Sequence, residues 1–588
     1  MIWFLSDLHR LDHERAEIER LEAAPDTWLK NVSWRLTPGS GLELDADIKI
    51  PGGRIFPVTL KYPYAFPASP PSVFPRGVKR RWSFHQYGKG GELCLEWGAD
   101  NWHADITGAD LLASAHKLLS LENPSESTED EVAVPSRDAP TIAQTLRWKN
   151  HRFVATHRLM ERLASLDAGQ IADITVSIGN VRTSLAVVHS MRDGGESVWR
   201  DSTVPSTALD GFEYNGVAVR LPGEIPDLAA FPTKQAFYGW LTGEGIDLAA
   251  RTEGGEQRSY VLLSSPSGLP WLVWLLQGVS DSFLVFSTVG LEADSDARLP
   301  GGYPKLRGKS VCIVGCGSVG SKVATSLSRA GVQAFVLVDD DLFTSGNLVR
   351  NELDWRDMGS HKVDALARKL GLVNPQATVT QHKLRLNGQE ASNRIAGALR
   401  AASSCDLIID ATANAAVFNL LAALVVADEK PLIWGEVLAG GIGGLIARYL
   451  PQRTPTPPMM RSAITQWCAD KGTPWHGTDA GYDSTTQEGH PLVADDADVT
   501  VIAGHLSRMA LDLLLDHDPL DYAWPAYFIG LKPGWIFNGP FDTFPLEMKA
   551  DEAETQLPPT LPANRVEENA TFLFGLMEKL SHETSTSA

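Results

Sequence analysis

The sequence predicts a multidomain α/β protein, and three observations lead there. Its 588 residues exceed what one hydrophobic core organises, so three or four domains are expected. The stretch from Val311 to Asn351 spells a strand, a glycine turn, a helix and a second strand, the βαβ unit of a parallel sheet. Near the N-terminus a charged helix is followed by alternating strands, the pattern of an α+β domain.

Within the βαβ unit the glycines have separate tasks. Gly315 lets the strand turn, Gly317 lets backbone approach a phosphate, and Gly320 lets the helix pack on the strand. Asp339, 24 residues after Gly315, stands where an acidic residue takes a ribose hydroxyl. Taken alone this turn points to a nicotinamide-binding oxidoreductase. The cluster Asp339, Asp341, Asn347, Arg350 and Lys362 has no use in hydride transfer. It suits an enzyme that splits ATP: Arg350 grips phosphate oxygens through a planar fork, Lys362 supplies a compact charge, and together they steady a leaving pyrophosphate.

The run DDDLFTSGNLVRN followed by GSHKVDA resembles the adenylation fold of the ThiF/MoeB and ubiquitin-activating families. Their pattern is D-x-D, S-N-x-x-R-Q and then P-K or H-K; Asn351 stands where the family has Gln. The resemblance implies a Rossmann-like domain over residues 301–550, ATP and Mg2+ as cofactors, and a homodimer. The family's D-x-T-D-N segment reads Asp410-Ala411-Thr412-Ala413-Asn414 here, which leaves Asp410 as the candidate magnesium ligand. Past Pro451 the strand pattern gives way to a crossover rich in proline and glycine. Ubiquitin-type activating enzymes carry a thioester cysteine on such a crossover, and Cys468 is the candidate. Cys312, Cys405 and Cys316 have structural readings, the first two in or beside apolar strands and the third inside the glycine turn.

At the N-terminus, residues 6–24 form a helix with Leu8, Leu11, Ile18 and Leu21 on one face. NVSWRLT, LELDADIKI and RIFPVTLKY alternate apolar and polar residues between PGSG and PGG turns. The order of helix, meander, proline-rich turn, cysteine loop and helix resembles the ubiquitin-conjugating enzyme fold over residues 1–124. Tyr62-Pro63, Gly91-Glu92-Leu93-Cys94-Leu95 and Trp102 match its motifs, which puts Cys94 at the thioester position. His85-Gln86-Tyr87 replaces the family's HPN triplet. That leaves Tyr87, His85 or a backbone N-H as the oxyanion donor.

The acidic, Pro- and Ser-containing segment 125–140 reads as a linker, 141–300 as a mixed α/β bridging domain, and 551–588 as an acidic tail with a short amphipathic helix. The net charge of -20 disfavours nucleic acid and anionic membrane surfaces as partners. Five irregularly spaced cysteines argue against a disulfide framework and for a reducing compartment. With no signal-like or membrane-spanning run, the expected location is the cytoplasm.

The order of conjugating-like, bridging and activating-like domains resembles the fused activating and conjugating enzymes of bacterial CBASS antiphage operons, the CD-NTase-associated proteins. The resemblance implies a partner protein with a free C-terminal carboxylate, a cGAS-like nucleotidyltransferase or a ubiquitin-like protein. That carboxylate would be activated as an acyl adenylate, passed through Cys468 and Cys94, and joined to a target amine or lysine. A sulfur-carrier adenylyltransferase would use the same central unit but would have no use for Cys94.

Overall fold

The structure is a computed structural model. It describes all residues except 1, 39–40, 78–80, 84, 88–89, 123–140, 181–182, 195–196, 206–210, 229–230, 249–257, 277–280, 292–298, 473–492, 549–562 and 586–588. The chain divides into two compact units, Met1–Arg147 and Trp148–Ala588, and the expected multidomain α/β class holds.

In the first unit, helix α1 (Leu8–Ala23) starts at Asp7, whose carboxylate accepts the Arg10 N-H at 2.9 Å. Strands β1 (Leu29–Thr37), β2 (Gly41–Lys49), β3 (Ile55–Tyr62) and β4 (Ser72–Pro75) form an antiparallel meander in that order. Strict alternation in β2 buries Leu42, Leu44, Ala46 and Ile48 on one face. Helix α2 (Gly108–Glu122) adds Leu111, Leu112, Ala115 and Leu119 to the same core. One buried polar knot ties these elements together. Glu14 of α1, fully enclosed, pairs with Arg10 at 2.7 Å and accepts from the Tyr62 hydroxyl and the Gly108 N-H, each at 2.8 Å.

The second unit holds two sheets. The first comprises β5 (His151–Ala155), β6 (Ile171–Asn180), β7 (Ser184–Arg192), β8 (Trp199–Arg200), β9 (Phe212–Arg220), β10 (Arg258–Ser264), β11 (Trp271–Leu275), β12 (Phe283–Val285) and β13 (Ser287–Gly290). Its order is β12-β11-β10-β9-β6-β7-β5-β13, with β8 paired to β7. The two edge strands are consecutive in the chain with Phe286 alone between them, so the sheet must curl until its edges meet. Phe153, Val176, Val188, Tyr260, Leu272 and Phe286 fill one face of the curl. On the other face, helix α3 (Lys234–Gly243) lays Phe237 and Leu241 over Val217, Val261 and Val273.

The second sheet is doubly wound. It runs β16 (Thr378–His382), β15 (Ala334–Val338), β14 (Ser310–Val314), β17 (Leu407–Asp410), β18 (Leu432–Leu438), β19 (Gly443–Tyr449), β20 (Ala526–Gly530) and β21 (Thr543–Leu546). The first five strands are parallel and the last three antiparallel. From β14 the chain winds to β15 and β16 on one side, then crosses to β17 and β18 on the other. That reversal opens a crevice at the carboxyl ends of β14, β15 and β17, where ligands bind in open α/β sheets. Helices α4 (Ser318–Ala330) and α5 (Lys362–Val373) cover one face together with α8 (Asp496–Leu514), while α6 (Ala415–Ala427) and α7 (Pro457–Asp470) pack on the other. No described helix is long and apolar enough to cross a membrane. A final helix, α9 (Ala563–Ser585), leaves Phe572, Leu573, Phe574 and Met577 exposed.

Candidate active site

A cavity of about 400 Å³ occupies that crevice. Its wall includes Gly315, Gly317, Asp339, Asp340, Asp341, Asn347, Arg350 and Lys362. Leaving β14, the chain turns at Gly315 with φ 89°, a left-handed conformation that glycine takes at no steric cost; a Cβ here would lie 3.0 Å from the Ala411 carbonyl. At Gly320 a Cβ would meet the Gly315 carbonyl oxygen at 1.8 Å, so only glycine lets α4 pack this close to the turn. Gly317 caps α4 without a side-chain hydrogen bond, which leaves the first-turn N-H groups open to an anion.

Asp339, at the end of β15, braces the turn. Its Oδ2 accepts the Cys316 N-H at 2.7 Å and its Oδ1 accepts the Asp341 N-H at 2.8 Å. Burial pushes this carboxyl above its ordinary value, against the opposing pull of those N-H groups and of Lys362. Asn351, at the position where Gln was expected, donates from Nδ2 to the Cys316 carbonyl at 3.3 Å and holds the turn from its other side.

The cations arrive on the following loop and helix. Lys362 is the first residue of α5; its stem is buried and its Nζ pairs with Asp341 Oδ2 at 2.7 Å. The side chain of Lys362 is 8% exposed while that of Asp341 is 68% exposed, so the ammonium is fixed and its partner is solvated. Arg350 reaches the Ala494 carbonyl at 3.4 Å. Asn347 accepts from the Thr344 N-H at 2.9 Å in a capping box, which orients its amide at the cavity wall. Asn414, the last residue of the D-x-T-D-N-like segment, lines the side beyond β17, and the sequence reading missed Leu384, Arg385, Leu386 and Asn387, which line the side beyond β16. The available signal was only their place just past strand ends.

Two residues are placed otherwise than expected. Asp410 is buried, accepts at Oδ1 from the Thr412 N-H at 3.0 Å and hydroxyl at 2.6 Å, and is not among the residues that line the cavity. It holds the turn that leads to Asn414, whose side chain caps α6. The carboxylates on the wall are instead Asp339, Asp340 and Asp341, hard oxygen donors of the kind magnesium takes. Cys468 does not sit on an open crossover. It lies in α7 with its side chain fully enclosed beside Met460 and Ile464, and burial pushes its thiol up to about 11. A thiol so placed is inert at neutral pH. The rest of the expected crossover, 473–492, lies outside the described residues.

In the first unit, Cys94 is half-buried on the loop after the meander. Its N-H donates to the His85 carbonyl at 2.7 Å, and its Sγ lies 3.8 Å from the Tyr87 hydroxyl. Among the five cysteines it alone is not buried.

The crevice thus joins a backbone anion cradle, two fixed cations and a wall of carboxylates, a set that suits a nucleotide polyphosphate with a divalent ion. The uncharacterised protein y4qC of Sinorhizobium fredii is 26% identical over 450 residues, covering 69% of this chain and 72% of that protein. The adenylyltransferase and sulfurtransferase uba4 of Aspergillus fumigatus is 30% identical over 185 residues, 29% of this chain; the match spans 36% of that enzyme's length. Among solved structures, Escherichia coli MccB with ATP aligns over 43% of this chain and 68% of its own, at 16% identity and a TM-score of 0.32. Residues 296–522 match the model of the ThiF family, and this region of the chain is a ThiF-type domain.

Proposed function

We propose that the chain activates the C-terminal carboxylate of a partner protein with ATP and passes the acyl group to the sulfur of Cys94 for transfer to an amine. One observation carries the first half: the glycine turn, Arg350 and Lys362 converge on one cavity at the switch point of the sheet. There the turn N-H groups hold phosphate oxygens, and Arg350 and Lys362 offset the charge that builds as the carboxylate oxygen attacks the α-phosphorus and pyrophosphate leaves. A bound magnesium ion would add charge neutralisation, held by Asp339, Asp340 and Asp341. Similarity to a uba4 adenylyltransferase over 185 residues supports this reading.

In the second half, the Cys94 thiolate attacks the acyl carbon, the C-S bond forms and AMP departs. The amine then displaces sulfur. The helix, meander and cysteine loop of the first unit support a conjugating role, and the half-buried thiol is open to a substrate. The buried Cys468 has no part in this relay. The resemblance of the domain order to the fused CBASS enzymes implies a cGAS-like nucleotidyltransferase as the partner, primed in antiphage defence in the cytoplasm, and resemblance to the adenylation family implies a homodimer.

The test is a non-reducing gel after incubation with ATP and a candidate partner. A thiol-sensitive adduct that is absent in Cys94→Ala is expected. Normal conjugation by that variant would remove Cys94 from the mechanism.

A further inference from the structure

The loop that carries Cys94 is more tightly built than its exposure suggests. Gln86 and Leu93 pair as an isolated antiparallel bridge, the Tyr87 N-H donates to the Glu92 carbonyl at 2.9 Å, and the Cys94 N-H donates to the His85 carbonyl at 2.7 Å. Gln86, buried, fastens this hairpin from within. Its Oε1 accepts the Trp82 N-H at 2.7 Å and its Nε2 donates to the Gly91 carbonyl at 3.0 Å. The Leu93 N-H donates to the Val73 carbonyl at 2.9 Å and anchors the whole hairpin to β4. These bonds set His85 across from Cys94 and Tyr87 across from Glu92, so Tyr87 lies diagonal to Cys94, two positions further along the hairpin. The hydroxyl of Tyr87 then stands 3.8 Å from Cys94 Sγ, although the residue is 71% exposed and contributes little to the core.

We propose that the Tyr87 hydroxyl donates the hydrogen bond that stabilises the oxyanion formed when an acyl group on Cys94 passes to an amine. This rests on the reading of Cys94 as an acyl carrier. During transfer the amine nitrogen attacks the thioester carbon, the C-N bond forms, and the carbonyl oxygen carries the negative charge. The charge returns as the C-S bond breaks; sulfur leaves as thiolate and the ammonium proton goes to solvent. That oxygen is two bonds from sulfur, so a donor 3.8 Å from sulfur can come within the ~2.7–3.1 Å that an oxyanion donor needs. A phenol must be protonated to donate. The Cys94 sulfur, first through its hydrogen bond and then through its charge, pushes the Tyr87 phenol above its ordinary value; burial, Glu92 and Asp100 act in the same direction. Of the three donors open to the sequence, the structure favours Tyr87 because its hydroxyl stands 3.8 Å from the sulfur.

The experiment uses the full chain and bypasses ATP. An acetylglycyl thioester of mercaptoethanesulfonate is exchanged onto Cys94, with Cys94→Ala as the blank, and discharge to free lysine is followed by intact mass. Tyr87→Phe is expected to reach the parent's final extent of loading, though more slowly because loading passes through the same oxyanion, to leave the unloaded thiol open to iodoacetamide, and once loaded to discharge about 10- to 100-fold more slowly, the loss of one hydrogen bond to a charged group. Discharge at the parent's rate, or slow discharge in His85→Ala with Tyr87→Phe unaffected, overturns the assignment. Failure of the parent chain to load at Cys94 overturns the acyl-carrier reading itself and the Tyr87 assignment with it, an outcome distinct from the other two.

Discussion

Replacing Lys362 with Met separates chemistry from stability at the cavity. The ammonium lies in a buried position, 2.7 Å from Asp341, and it faces the cavity proposed for phosphate. Two unit charges 4 Å apart interact by about 4 kcal/mol at the effective dielectric of a protein surface. Removing one such donor from a charge-stabilising site typically lowers rate by ~10²–10³-fold, or about 2.7–4 kcal/mol. The effect on folding is far smaller. Methionine keeps most of the buried stem, and the Asp341 side chain left behind is 68% exposed, so water takes over its solvation. An ion pair with one solvated partner contributes about 0–1 kcal/mol. Lys362→Met should therefore unfold in urea within about 1 kcal/mol of the parent and lose at least about 100-fold in pyrophosphate exchange. Exchange within a few-fold of the parent would refute the phosphate role. A stability loss of several kcal/mol would show that the lysine acts in folding instead.

Other consequences follow from the same geometry. Iodoacetamide at neutral pH should modify Cys94 first and leave Cys312, Cys316, Cys405 and Cys468 intact in the native chain, because all four are buried and burial pushes the thiols of Cys405 and Cys468 to about 11; peptide mass mapping reads the order. Cys468→Ala should retain Cys94 loading, and its loss without unfolding would return Cys468 to the relay. Glu436, on β18, has its carboxyl raised to about 7, first by burial and then by Asp410, against the pull of Arg461. Ionising it is disfavoured in the folded state, so the stability it contributes is complete below the ordinary carboxylate range and is lost as pH rises through about 7. Glu436→Gln should match the parent near pH 3.5 and exceed it by on the order of 3 kcal/mol at pH 8.5. Parallel urea curves for the two chains at both pH values would contradict that assignment.

The sequence disclosed the nucleotide crevice well because its geometry is local. Gly315 and Gly320 answer steric demands that no other residue meets, and Asp339 stands one residue past a strand. Lys362 was legible from the match of His361-Lys362 to the family's H-K, and the short loop before it returns to the same strand end, where the Lys362 N-H donates to the Asp341 carbonyl at 2.9 Å. Cys468 was misread for a reason that was also local. Pro457 and Pro458 looked like crossover punctuation, yet a helix tolerates proline in its first turn, where the missing N-H has no partner to lose. Met460, Ile464 and Cys468 recur at intervals of four, the stripe of a buried helical face. Asp410 misled because its motif position says nothing of orientation; the Thr412 hydroxyl turns its carboxylate inward. The curled sheet over 151–290 lay beyond sequence reasoning. Its closure depends on which distant strands pair, and edge strands three and four residues long carry little pattern of their own.

Carboxylate activation is tested by incorporation of labelled pyrophosphate into ATP by the full chain, with a candidate partner supplied either with its C-terminal carboxylate free or with that carboxylate amidated. Carboxylate activation in the glycine-turn cavity predicts exchange with the free form, none with the amide, and loss of the signal in Arg350→Ala. Exchange that ignores the state of the carboxylate, or a cavity that binds NAD and leaves ATP untouched, would contradict it.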